Sequence, residues 1–153
     1  MSRSSCQKLP ASPELCAEWE RLLAIMPEAA RVAITPELWN QEWLHALELP
    51  VREMAISDLS WLFDVPLWAV DEKPFQVTPN QVRTHPRKFA AQYKRTIASD
   101  LVWPIHVMRF RGRWIVLDGV HRLLKADLSG KQSVRVMVLS PDDYNSIVFP
   151  SKE

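Results

Sequence analysis

The sequence predicts an α+β domain, with a small mixed sheet, flanking helices and an added helical N-terminal extension. Three observations point there. Through the first third of the chain, apolar residues recur at helical spacing behind Ser-Pro and Thr-Pro start signals. From Leu101 to Val138, period-two strands alternate with a single helix, punctuated by a two-residue turn and a glycine stop. The chain has 153 residues, 47% of them hydrophobic and 24% charged, which suits one globular unit that buries a core without disulfides or metals. Residues 1–49 read as the extension and 50–153 as the domain carrying the sheet, the two forming one compact unit.

Taken in order, Met1 to Ala11 is polar and expected to fray. Ser12-Pro13 starts a helix, with a hydroxyl cap followed by proline at the first helical position. Leu15, Cys16, Trp19, Leu22, Leu23 and Met26 form its expected buried face, and Pro27 ends or kinks it. Thr35-Pro36 repeats the start signal for a second helix with Leu38, Trp39, Trp43, Leu44 and Leu47 inward. Val51 to Ile56 reads as an edge strand running into Ser57-Asp58, a helix cap followed by Leu59, Trp61, Leu62 and Phe63. Asp64 to Thr78 contains Pro66 and Pro74 and shows no period, so it reads as an ordered loop. Thr78-Pro79 opens a one-turn helix, and Arg87 to Ile97 forms a basic amphipathic helix with Phe89, Ala90, Tyr93 and Ile97 on one side. Leu101 to Phe110 and Trp114 to Leu117 pair as strands about a tight turn at Arg111-Gly112. The helix from Gly119 carries Leu123, Leu124, Ala126 and Leu128 and stops at Gly130. Val134, Val136 and Val138 mark the last strand, which Ser140-Pro141 closes, and Asp142 to Val148 forms a final short helix.

Composition narrows the function classes. No apolar run approaches the roughly 18 residues of a membrane span, and Met1 to Pro10 lacks a signal-peptide core. Cys6 and Cys16 are the only cysteines, which fits a reducing, cytoplasmic setting and offers no zinc cluster. The net charge of +1 hides an asymmetry. Twelve acids face three bases between Glu14 and Glu72, whereas nine bases face two acids between Arg83 and Arg122. Such blocks suggest two surfaces, one of which could attract phosphates or an acidic partner, although they also serve simply to solvate the fold.

The stretch with most chemical content is Asp118-Gly119-Val120-His121-Arg122, where a strand hands over to a helix start. A helix N-terminus presents unpaired amides and partial positive charge, a natural seat for an anion. Gly119 allows close backbone approach, and His121 and Arg122 add donors beside it. The junction is therefore expected to bind phosphate.

The segment LVWPIHVMRFRGRWIVLDGVHRLLKADLSGKQSVRVMV resembles the core of the ParB/sulfiredoxin superfamily. Pro104-Ile105, Val107, Asp118-Gly119, His121-Arg122, Ala126, Gly130, Val134 and Val136 fall where that pattern wants them, and MAISDLSWLF resembles its opening strand and helix. The likeness covers about Val51 to Ser140 and leaves Met1 to Leu49 without a counterpart. It implies binding of ATP or another nucleoside triphosphate with Mg²⁺. Gly119, Val120, His121 and Arg122 would form the cradle, with Lys125 one turn on or merely solvated. Sulfiredoxins place an attacking cysteine where Val120 stands here, which argues against that reductase chemistry. Segregation ParB proteins carry a Gly-Glu-Arg-Arg variant and a following helix-turn-helix, for which Glu153 leaves no room. The implied branch is that of small single-domain relatives, among them serine kinases and ATPases with nuclease activity.

Phosphoryl transfer also needs a carboxylate. The resemblance makes Asp58 the nearest match for a base, although an Asp in a helix cap is ordinary. Asp118 could hold Mg²⁺ or ribose, or cap its helix and orient Arg122. His121 is a phosphate donor, a general acid or a packing residue. His45, His85 and His106 show no ligand spacing, so no metal site is assigned. Arg83, Arg87, Lys88, Lys94 and Arg95 could track a nucleic-acid backbone, steer an anion, or form a solvated face. The expected function is an ATPase or phosphotransferase on a small-molecule or protein acceptor. The alternatives are a DNA-binding regulator or nuclease, and an interaction module whose acidic N-terminal helices face a partner.

Overall fold

The computed structural model describes residues 9–150, so the polar tail from Met1 to Lys8, Cys6 included, lies outside the described residues. Helix α1 (Pro13–Ile25) starts where expected, with the Ser12 hydroxyl accepting from the Leu15 amide at 3.1 Å. Of its predicted buried face only Met26, the residue that caps its C-terminus, is buried. Within Pro13–Ile25 no residue is buried; Trp19 and Leu23 only pack half-covered against the core, and Leu15 is exposed. Pro27 ends it and a single turn, α2 (Glu28–Arg31), follows.

The second predicted helix starts later than Thr35-Pro36 suggests. Residues 36–40 are not helical: Trp39 is bridged to Val148, and Asn40 then caps α3 (Gln41–His45) by accepting from the Trp43 amide. Backbone bonds to the tertiary partner thus outcompete the local start signal.

Strand β1 (Val51–Ala55) lies at a sheet edge, as its short length suggests. Ser57-Asp58 opens no α-helix; two 3₁₀ turns, Ile56–Asp58 and Ser60–Asp64, bury Ile56, Leu62 and Phe63. The expected loop from Asp64 to Thr78 is instead a hairpin of β2 (Trp68–Val70) and β3 (Lys73–Val77). Asp71, Glu72 and Phe75 adopt positive φ without being glycine, so the sequence carries no ordinary turn signal there. Thr78 makes a reciprocal cap with Gln81 at the head of α4 (Pro79–Thr84). Helix α5 (Ala90–Ala98) buries Gln92 and Thr96, while Ile97, expected inward, is exposed.

The remaining elements are β4 (Ile105–Phe110), β5 (Arg113–Asp118), α6 (Val120–Leu128), β6 (Ser133–Val138) and α7 (Pro141–Ile147). The main sheet has the order β1-β6-β4-β5, in which β4 and β6 run parallel and the other pairs antiparallel. It is therefore a mixed sheet in an α+β fold.

Both faces of the sheet are covered, because its strands alternate two apolar sets. Ile105, Val107 and Val136 face one core with Leu123, Leu124 and Ala126 of α6. Met108 and Ile115 face a second core with Leu44 of α3 and Tyr144 and Ile147 of α7. Segments 37–40 and 144–149 close this second layer together. The Asn40 amide donates to Ile147 O, the Phe149 amide to Leu38 O, and Tyr144 Oη to Glu37 Oε1. Among the described residues, no helix is long and apolar enough to cross a membrane.

Leu44 is fully buried in the second core. Leu44→Ala is expected to cost about 2–5 kcal/mol in urea unfolding, in a single transition shared with the sheet. A residual folded sheet after loss of the N-terminal signal would show that the extension is a separable appendage.

Candidate functional site

Sheet register builds the site. His106 in β4 stands opposite Met137 in β6 and Asp118 in β5, so the three residues form one row across the sheet. The β4–β5 register shifts between His106 and Val107, and this bulge turns Asp118 toward the His106 face. His45 at the end of α3 meets the row from above. Its Nε2 donates to Asp118 Oδ2 at 2.8 Å, and its ring lies 5.7 Å from that of His106. Arg122, one turn into α6, donates to the same oxygen at 3.2 Å.

These groups surround a pocket of about 470 Å³ lined by His45, Trp103, Pro104, His106, Asp118, Arg122 and Met137. Its walls are apolar, with a few convergent polar groups, which is the usual make-up of a small-molecule site. His106 is 7% exposed and its Nδ1 has no hydrogen-bond partner. Burial pushes its pKa below the usual value, helped by His45 and Arg122 and opposed by Asp118. Because Asp118 accepts from Nε2 of His45, that nitrogen carries a proton, and Nδ1 is the open one in the neutral ring. Both bonds to Asp118 land on Oδ2, which leaves Oδ1 unengaged.

Arg122 is largely spent on the fold. Its Nη1 donates to Trp103 O at 3.2 Å and Pro104 O at 2.8 Å, and Nη2 donates to Asp118. The Nε–H and the second Nη2 hydrogen remain. Gly119 holds φ 120°, and a Cβ there would lie 3.0 Å from Ile105 Cγ1 and 3.1 Å from Arg122 Nη2. Glycine is thus required by packing against Ile105, not only by access for a ligand.

The other sequence-predicted residues are placed differently. His121 is not among the residues that line the pocket. The Gln92 amide nitrogen donates to Ala69 O, which turns its Oε1 to accept from His121 Nε2 at 2.8 Å, and the imidazole stacks on Trp68 at 4.1 Å. Burial, then Arg95, lowers its pKa to about 4, so it is neutral at pH 7. In this arrangement the ring is packed between Gln92 and Trp68. Lys125 does not line the pocket and donates from Nζ to Ser99 O at 2.6 Å. Val120 is the first helical residue and packs half-buried on the core. Asp58 does not join the pocket: β1 ends opposite Ser133, four rows and roughly 13 Å along the strands from the Met137 row. Arg83 is tied to Asp127 at 2.6 Å and lies over Phe63, whereas Arg87, Lys88, Lys94 and Arg95 are exposed. Among the described residues, no group of three His, Cys, Asp or Glu is arranged to hold a metal ion.

Spacing along the chain could not find His45 and His106, because 73 residues separate His45 from its carboxylate partner. The β4–β5 pairing, which sets His106 opposite Asp118, and the bonds between segments 37–40 and 144–149 bring them together. No protein-family model matches the chain, and no characterised protein matches it in sequence.

Gly119→Ala meets both a left-handed backbone and the Ile105 side chain, and is expected to cost about 2–4 kcal/mol by urea titration. A loss under about 1 kcal/mol would mean that the junction tolerates a side chain. For His121, the folded pKa lies below the unfolded one, so the unfolded chain binds more protons between about pH 4 and 6.5. The stability it contributes is full above pH 6.5 and is lost as pH falls toward 4. NMR titration should find the His121 ring neutral at pH 6, and a midpoint near 6.5 would refute the packed arrangement.

Proposed function

We propose that the pocket binds the phosphate-bearing end of a nucleoside triphosphate, and that the protein is an ATPase or phosphotransferase of the ParB/sulfiredoxin type. The observation that carries this reading is the convergence of His45, His106, Asp118 and Arg122 on one pocket where α6 begins. Helix α6, like α2 and α5, has no side-chain cap, and of these three it is α6 that opens beside the pocket, between the lining residues Asp118 and Arg122. Its first-turn amides therefore lack a local side-chain acceptor and favour an anion beside the pocket.

On this reading, Arg122 supplies its two uncommitted hydrogens to phosphate oxygens. Its braces to the Trp103 and Pro104 carbonyls fix the guanidinium before any ligand arrives. Trp103 is 65% exposed at the pocket edge and offers a ring face to a nucleobase. His45, oriented by Asp118, accepts a proton at Nδ1 from the attacking hydroxyl or water. That oxygen bonds to the terminal phosphorus as the bridging P–O bond breaks, and the diphosphate leaves with the electron pair. Mg²⁺ would neutralise the phosphates, and Asp118 Oδ1 is the free carboxylate oxygen available to it. His121 keeps α6 packed on α5 and Trp68, so the helix start has one orientation.

Calorimetric titration of the full chain with ATP, CTP and GTP plus Mg²⁺ tests this reading. At least one nucleotide is expected to release heat, and Arg122→Lys should weaken it about ten- to a hundred-fold. Because Arg122 also braces the loop, each variant is melted alongside. No heat with any of the three, from folded wild-type protein, would overturn the reading.

A further inference from the structure

We infer that the tip of the β4–β5 hairpin is a binding element for double-stranded DNA, separate from the pocket. Strand β4 pairs with β6 only through Ile105, His106 and Val107. From Met108 onward it pairs with β5 alone, so the hairpin ends as a two-stranded ribbon. Trp61 anchors this ribbon by donating from Nε1 to Trp114 O at 3.0 Å.

Three arginines decorate the tip, Arg109, Arg111 and Arg113, and all are exposed. None of them takes part in the ion pairs found among the described residues, which join His45 and Arg122 to Asp118 and Arg83 to Asp127. Each guanidinium instead lies over an aromatic ring: Arg109 over Trp114 at 5.1 Å, Arg111 over Phe110 at 5.0 Å, and Arg113 over Trp61 at 4.5 Å. A ring face holds the cation in place without neutralising it and without using its hydrogens. The N–H groups are therefore positioned and uncommitted.

The turn adds a second observation. Arg111 sits at φ 52° and Gly112 at φ 80°, the pattern of a type I′ turn that Asn-Gly fills most readily. An arginine there accepts backbone strain that an asparagine would relieve, and it places a charge at the extreme tip.

The distribution of charge selects the partner. Arg113 pairs across the ribbon with Phe110, and Arg109 with Trp114, so these two arginines leave opposite faces while Arg111 crowns the end. A ribbon that is cationic on both faces complements a groove walled by phosphates on both sides, whereas a flat acidic protein surface would engage one face. The major groove of B-form DNA admits a two-stranded ribbon, and that of A-form RNA is too narrow. The local excess of nine bases over two acids between Arg83 and Arg122 steers the approach.

The test is fluorescence anisotropy of a labelled DNA duplex of about 20 base pairs, with the full chain, over roughly 50–200 mM salt. The triple variant Arg109→Gln, Arg111→Gln, Arg113→Gln is expected to bind at least about tenfold more weakly at low salt. Its slope of log affinity on log salt should shrink by about 2–3, while Lys94→Gln with Arg95→Gln changes the slope by less. Arg111→Asn guards against a folding artefact: it should raise the melting temperature and still lower the slope by about 1. The inference is overturned if wild-type protein does not bind the duplex, or if it binds duplex RNA or polyglutamate as tightly. Binding by the triple variant or by Arg111→Asn that equals wild type overturns it as well.

Discussion

Strand β5 passes into helix α6 through one residue, Gly119, whose backbone sits at φ 120° with Ile105 filling the space a side chain would take. That contact fixes the angle at which α6 leaves the sheet. With the angle set, Arg122 comes round one turn later to reach Asp118 behind it and the carbonyls of Trp103 and Pro104 beside it. Leu123, Leu124 and Ala126 then meet the face of the sheet that carries Ile105 and Val107. A side chain at position 119 would press on strand and guanidinium at once, so the pocket wall and the core share a single steric condition.

The second condition is the closure of residues 37–45 onto residues 140–149. The two segments lie against each other through backbone bonds and the Tyr144–Glu37 contact, in which burial raises the phenol's pKa and keeps it a donor. This layer covers the face that α6 does not, and it delivers His45 to Asp118. The N-terminal region, which has no counterpart in the resemblance seen in the sequence, thus completes the pocket. His45 and Asp118 are both partly exposed, so their pairing contributes orientation more than stability.

Much of the architecture was legible because its signals are local. Ser12-Pro13 and Thr78-Pro79 start helices where expected, since each cap bonds its own first turn, and Ser140-Pro141, read as the close of the last strand, also caps the final helix one residue before its expected start. Arg111-Gly112 turns the hairpin where two apolar runs meet. The β2–β3 hairpin was not legible, because its turn uses Asp71 and Glu72 at positive φ and Pro74 lies within a strand. The site was half legible. The Asp118–Arg122 segment marks the junction, but the directions of His121 and Lys125 follow from Gln92 and Ser99, acceptors on another helix and its cap. Asp58 looked close in pattern and is distant in space, because β1 runs antiparallel to β6 and carries it to the far end of the sheet.

The arginines show what decides the role of one residue type. Arg122 lies among carbonyl and carboxylate oxygens, and most of its hydrogens are used before a ligand is considered. Arg83 is committed in the same way to Asp127, with its Nε buried and without an acceptor. Arg109, Arg111 and Arg113 lie over rings, which hold the charge and accept no conventional hydrogen bond. Sequence gives the five the same formal charge. What separates a brace from a free cation is whether oxygen or carbon occupies the nearest few ångströms, and tertiary packing sets that. The pocket therefore draws on Arg122 for position and a little residual donor capacity, while the hairpin keeps its donors whole for a partner outside the fold.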